Sequence, residues 1–184
     1  MSELRTNKIY PRDGLPVSAS GGGIIQVVSV TKTDTESLTS TTTETLIPGM
    51  EATITPQSAS NKILVMVTLS AGIGNSFASH YAVLKRGSTG IFYGDTAGSR
   101  NRASISFQDP TFFGSSNSNN YGPGQASITH LDSPASTSAV TYGLYHACAD
   151  GIDNALYINR SRTDTDSFNY NRVASSITLM EVSG

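Results

Sequence analysis

The chain has 184 residues, 37% hydrophobic and only 14% charged, a length that suits one well-buried core and falls short of two ordinary domains. A net charge of −2 with 12 scattered Lys and Arg residues gives no basic footprint for a nucleic-acid backbone, and no apolar run reaches the ~18 residues of a membrane span. Cys148, the one cysteine, can form neither an internal disulfide nor a thiolate metal cage.

Residues 1–23 differ in character from the rest of the chain. Leu4, Ile9, Tyr10 and Leu15 are spaced among charges and punctuated by Pro11, Asp13-Gly14 and Pro16, ahead of Gly21, Gly22 and Gly23. Proline and the residue before it favour extended backbone, and a glycine triplet is a joint, so 1–23 reads as an attachment arm with a hinge. A frayed terminus is the alternative. The first residues carry no apolar signal region, which predicts a soluble chain made in a cytoplasm.

The body, 24–184, is a succession of strand signals. Residues 24–33 are rich in β-branched side chains and predict its first strand. Residues 36–47, nearly all Ser and Thr, predict a strand with one solvent-facing side that ends at Pro48-Gly49, and residues 51–55 a short third strand stopped by Pro56. Residues 61–72 are the most apolar stretch, with Ile63, Val65, Val67 and Leu69 on one parity and Leu64 and Met66 on the other. That pattern predicts a central strand covered on both faces, around which the rest is organised.

Residues 80–86 and 91–93 flank a Gly-Ser-Thr-Gly turn and predict a hairpin. Residues 102–107, 125–131, 140–148, 155–159 and 175–182 are further strands, and on the third of these Val140, Tyr142, Leu144, His146 and Cys148 share a face. Turn signals recur about every eight to twelve residues, the spacing of an all-β sandwich or barrel. The closing strand is expected beside the first, with both ends of the body on one side.

Catalytic signatures are missing. No Gly-x-Ser-x-Gly elbow or phosphate loop occurs, so no catalytic residue is assigned and no cofactor is expected. A carboxylate pair for glycoside cleavage is left open, because sequence does not show which acids face each other. His146 and Cys148 could offer a metal two ligands, but nothing nearby completes a site, and a core histidine is the expected role. His80 and His130 are placed at strand edges, His130 beside the carboxylate of Asp132. Asp164 and Asp166 resemble a piece of a calcium loop without its glycine and glutamate, hence a turn. Asn159-Arg160-Ser161 matches a glycosylation acceptor.

Two groups carry the binding expectations. Arg86, Arg100, Arg102, Arg160 and Arg162, together with Arg172, lie beside turns in a charge-poor chain. They are candidates for pairing with Asp95, Asp109, Asp164 and Asp166 of a neighbouring subunit, with solvated surface arginines as the alternative. Asn117, Asn119, Asn120 and Tyr121, in the loop richest in turn formers, are candidate ligand contacts, while Phe107 and Phe112 are expected to plug the end of the body.

Several segments in order, residues 54–67, 84–89 (Leu-Lys-Arg-Gly-Ser-Thr), 94–102 (Gly-Asp-Thr-Ala-Gly-Ser-Arg-Asn-Arg), 131–142, 158–166 and 177–181, resemble small fibre-like virion structural proteins of tailed bacteriophages, especially those infecting cyanobacteria and other marine bacteria. Residues 3–16 are similar to the leader by which phage fibre proteins plug into a particle. The resemblance implies a homotrimeric, jelly-roll-like antiparallel β-sandwich, a tail fibre or a head or neck fibre or decoration, without enzymatic activity and located in a virion assembled in the host cytoplasm. It implies other virion proteins as partners of Leu4, Ile9, Tyr10 and Leu15, and host-surface polysaccharide as a contact of the distal loops, with no nucleic acid and no membrane insertion. The competing readings are a carbohydrate-binding module and a polysaccharide depolymerase domain.

Overall fold

Period-two alternation sets the fold of this chain, which the computed structural model describes over residues 23–39, 41–73, 79–107, 122–149 and 155–184. The strands are β1 (Ile24–Lys32), β2 (Glu36–Leu38), β3 (Thr45–Ile54), β4 (Lys62–Ile73), β5 (His80–Arg86), β6 (Thr89–Phe92), β7 (Ile105–Phe107), β8 (Gly124–Asp132), β9 (Val140–Cys148), β10 (Leu156–Ile158) and β11 (Ser175–Val182). In β11 the alternation is complete: Ser175, Ile177, Leu179 and Glu181 are buried, and Ser176, Thr178, Met180 and Val182 face outward. Among the described residues there is no helix.

The strands form two antiparallel sheets. In the first, β4 pairs with β8 along one side and with β11, then β10, along the other, while β1 and β2 pair with β11 and β10. The second runs β3, β9, β5, with β6 and β7 sharing the far side of β5. From β3 through β4, β5, β8, β9 and β11 the chain alternates between the sheets, the wiring of a jelly-roll sandwich. Ile63, Val65, Val67 and Leu69 of β4 interdigitate with Met50, Ile54, Leu84, Tyr142 and Leu144 in one continuous core.

The ends of the strands define two poles. Ile24 lies opposite Val182, and Ser183 N–H donates to the Gly23 carbonyl at 3.0 Å, so first and last strands lie side by side as expected. The residues flanking the undescribed segments 74–78, 108–121 and 150–154, namely Ile73, His80, Phe107 and Cys148, all lie at the opposite pole.

Three polar ties join separate strands. The Glu181 carboxylate is fully buried and accepts from Gln26 Nε2 at 2.6 Å, Asn61 Nδ2 at 2.5 Å and Gln57 N–H at 2.7 Å. Burial raises its pKa, but those donors outweigh burial and hold it below the usual carboxylate value. Between the sheets, Tyr142 Oη and Arg86 Nη1 both donate to Asp132 Oδ2 at 2.7 Å. Asn159, buried with φ of 60°, donates to the carbonyls of Lys32 and Asp34 and accepts from Ser175 Oγ.

Two local expectations are corrected. Pro48-Gly49 does not end a strand: β3 runs through it with a register shift between Leu46 and Glu51, a bulge. An edge strand tolerates proline there because its N–H is not needed in the ladder, and Gly49 takes the positive φ of 76°. Upstream, the expected 36–47 strand is divided: Glu36–Leu38 pairs with β10 in the first sheet, and Thr45 onward belongs to β3 in the second. The burial of β4 is one-sided over its first half, with consequences for the site.

Candidate functional site

On β4 the odd residues from Ile63 to Leu69 are buried, but Met66 is 41% exposed and Leu64 only partly covered. Cross-strand register continues this apolar parity across the sheet. Val27 faces Met180, Met180 faces Leu64, and Leu64 faces Leu131, one row over β1, β11, β4 and β8. Val27 is 54% and Leu131 48% exposed. Met66 stands in the next row with Ser29, Thr178 and Thr129, and Thr31, Ser176, Thr68 and Ser127 form a third. Along these rows Lys62, at one end, is the sole charged residue facing outward.

With strands about 4.8 Å apart and about 6.6 Å between same-face residues, the uncharged face covers on the order of 400 Å². Within it the apolar part is the row Val27, Met180, Leu64 and Leu131 with Met66 beside it, and the rest is Ser and Thr hydroxyl, a surface that another chain could cover without desolvating a charge. The other half of β4 is covered, because the backbone after β10 crosses it. A Cβ on Gly72 would lie 2.8 Å from the Arg160 carbonyl oxygen and 3.0 Å from Ser161 Cα, so only glycine admits this crossing.

The outer face of the second sheet has another character. Glu44, Tyr81, Val83, Lys85, Ser88, Gly90, Tyr93 and residues 100–102 line an open groove of about 330 Å³. Lys85 Nζ pairs with Glu44 Oε2 at 2.6 Å and lies 4.5 Å above the Tyr145 ring. The Tyr93 ring lies against Gly90, where a Cβ would overlap it, and the Arg102 guanidinium stacks on Tyr93 at 3.9 Å. Arg102 Nε donates to the Gly94 carbonyl at 2.6 Å. Burial, and then the Glu44 charge, raise the pKa of the Tyr81 phenol.

No family model matches the chain, and no curated protein does.

The sequence candidates distribute unevenly over this frame. Arg100 and Arg102 meet in the groove, whereas Arg86 is ion-paired with Asp132 of its own chain. Arg160 donates to the carbonyls of Ser161 and Arg162 and to Ser37 Oγ, and stacks on Tyr157 at 4.4 Å; Arg162 is exposed beside it. Arg172 pairs with Asp164 within the chain, at 2.6 Å. Leu4, Ile9, Tyr10 and Leu15, and Asn117, Asn119, Asn120 and Tyr121, lie outside the described residues.

His80 and His146 are buried together, Nδ1 of the first 2.9 Å from Nε2 of the second, with rings stacked 5.2 Å apart. His130 does not pair with Asp132; its ring lies 5.3 Å from that of Phe92, and Asp132 is taken by Tyr142 and Arg86. Among the described residues no group of three or more His, Cys, Asp or Glu could hold a metal ion, and no helix is long and apolar enough to cross a membrane. Asn159 of the acceptor pattern is buried with its amide engaged at both ends.

Sequence reading missed both surfaces. The two-parity apolar run of β4 was the signal for the first, assigned to two-sided burial within one chain. For the groove no local signal exists, since Glu44, Lys85 and Arg102 converge from separate parts of the sequence.

Proposed function

We propose that this chain is a non-enzymatic structural protein of a tailed-phage particle, a tail fibre or a head or neck fibre or decoration, whose body assembles as a homotrimer through the outer face of β1, β11, β4 and β8. The carrying observation is the uncharged row of Val27, Met180, Leu64 and Leu131 with Met66 beside it. A strand with apolar side chains on both parities matches burial on both sides. Within one chain β4 obtains that on one side only, and turning this face toward the two other copies around a threefold axis would supply the other, with Lys62 at one end as the only charge to be left in water.

The polar arrangement of the body supports the rest. Residues 1–22 join the sandwich at Gly23, at the pole where the apolar row lies, and the segments 74–78, 108–121 and 150–154 join it at the other. In this reading Leu4, Ile9, Tyr10 and Leu15 bury in another virion protein, and Asn117, Asn119, Asn120 and Tyr121 face the host surface, where polysaccharide is the contact. Three arms on one trimer act together, so modest burial by each gives a firm joint. Nucleic acid and membrane play no part.

Deleting residues 1–20 tests the attachment. The shortened protein should fold and self-associate as before yet be lost from assembled particles, as read by immunoblot of purified virions. Unchanged incorporation would contradict attachment through the arm and favour a free-standing carbohydrate-binding module.

A further inference from the structure

The groove on the second sheet gathers more positive charge than its surroundings. Lys85, Arg100 and Arg102 stand there against one carboxylate, Glu44, in a chain whose net charge is −2. Arg102 is the best-placed cation. Its plane rests on Tyr93, which in turn needs the bare backbone of Gly90, and its Nε is fixed on the Gly94 carbonyl. No described residue takes its two terminal amino groups, so a planar fork is held ready at the groove with little left to order on binding. Arg100 is tethered similarly, Nη1 donating to the Ala97 carbonyl at 3.2 Å.

We propose that this groove binds an anionic saccharide, its uronate carboxylate or sulfate ester taken by Arg102 and Arg100. Guanidinium forks match such oxyanions in geometry and charge. At about 330 Å³ the groove has room for at least about ten waters, far more than a bare anion fills. Its further lining suits a sugar ring: the Asn101 amide and Ser88 hydroxyl can meet ring hydroxyls, and Tyr81 and Tyr93 supply aromatic edges. Glu44 limits the affinity. It neutralises Lys85 and repels the incoming acid, so the site is poised for a weak contact that three copies on one particle would repeat.

The proposal rests on the host contact of the proposed function and adds to its loop residues a second site, on the outer face of the other sheet, with a stated charge class; its test is independent of the particle. Isothermal titration of the full chain would use trigalacturonate, a sulfated disaccharide, neutral maltotriose and inorganic sulfate as probes. At least one acidic saccharide should bind at least about tenfold more tightly than maltotriose, and Arg102→Gln should weaken that binding roughly tenfold or more, the loss expected for a charge-assisted hydrogen bond. Glu44→Gln should strengthen it, and raising salt from 50 to 500 mM should weaken it. Both variants change partly or fully exposed side chains, and unchanged melting temperatures would confirm intact folding.

Failure of both acidic saccharides to bind, or wild-type affinity in Arg102→Gln, would overturn the proposal. Equal affinity for maltotriose or for sulfate alone would do the same, the latter reducing the groove to a bare-anion site. None of these results touches attachment through residues 1–20, and loss of that attachment leaves the titration unaffected.

Discussion

His146 should make the fold sensitive to mild acid. Burial, and then the neighbouring His80, lower its imidazole pKa from the ordinary 6.5 to about 4. The unfolded chain therefore takes up a proton at pH values where the folded chain does not, and stability falls with pH. The contribution is complete above about pH 6.5, declines as pH drops, and is exhausted near pH 4. A shift of that size corresponds to at most about 3 kcal/mol, of which about 2 kcal/mol should disappear between pH 7 and pH 5. Glu181, held below the ordinary carboxylate value by its donors, contributes to the pH dependence only as pH falls through the carboxylate range, mostly below the pH 7 to 5 interval.

Urea unfolding at fixed protein concentration, followed by circular dichroism at pH 7, 6 and 5, would measure the loss. His146→Gln keeps a polar group near His80 and removes the titration, so its stability should be lower at pH 7 but flatter with pH. Parallel pH profiles for the wild type and His146→Gln, or a flat wild-type profile, would refute the argument.

Gly72→Ala would drive a methyl group into the backbone of Arg160 and Ser161, which cannot swing aside as a side chain would. A loss of about 1–3 kcal/mol is expected, seen as a drop of several degrees in melting temperature. Tyr142→Phe removes one of the donors to the buried Asp132 and should cost about 1–2 kcal/mol in chemical unfolding at neutral pH. Adding Asp132→Asn to that variant should cost less than the two single changes summed, since both act on one network.

Much of the fold is legible in the chain. Residues 140–148 become β9 with the same bounds, Tyr142, Leu144, His146 and Cys148 buried on one parity and Gly143 and Ala147 buried as well on the other, and the threonine-spaced Ile177 and Leu179 point inward on β11 beside β1. The pairing of first and last strands was readable because they stand at the two ends of the body, where terminal strands of a sandwich tend to meet. Elsewhere local rules met tertiary context. Pro48-Gly49 has the composition of a turn, yet on an edge strand it becomes a bulge. Between β2 and β3 the hydroxyl-rich chain makes isolated bonds rather than a ladder: Thr43 N–H donates to Thr41 Oγ1, and the Thr41 carbonyl accepts from Cys148 N–H at 2.7 Å.

The candidate site was legible in one half only. Leu64 and Met66 announced an apolar second side for β4, but periodicity cannot say whether a chain's own residues or another copy would cover it. The arginines were noticed for their charge, and only coordinates separate Arg86, committed to Asp132, from Arg102, held on Tyr93 at an open groove. Glu44, Lys85 and Tyr93 had no neighbour in sequence to betray them.

Self-association through the apolar face is the claim on which the functional account stands, and light scattering of the purified full chain tests it most directly. The account predicts a mass three times the 19.4 kDa of one chain, and a folded monomer when Met66→Lys and Leu131→Lys place two charges on the exposed face. A monomeric wild type, or an assembly that survives both substitutions, would contradict it.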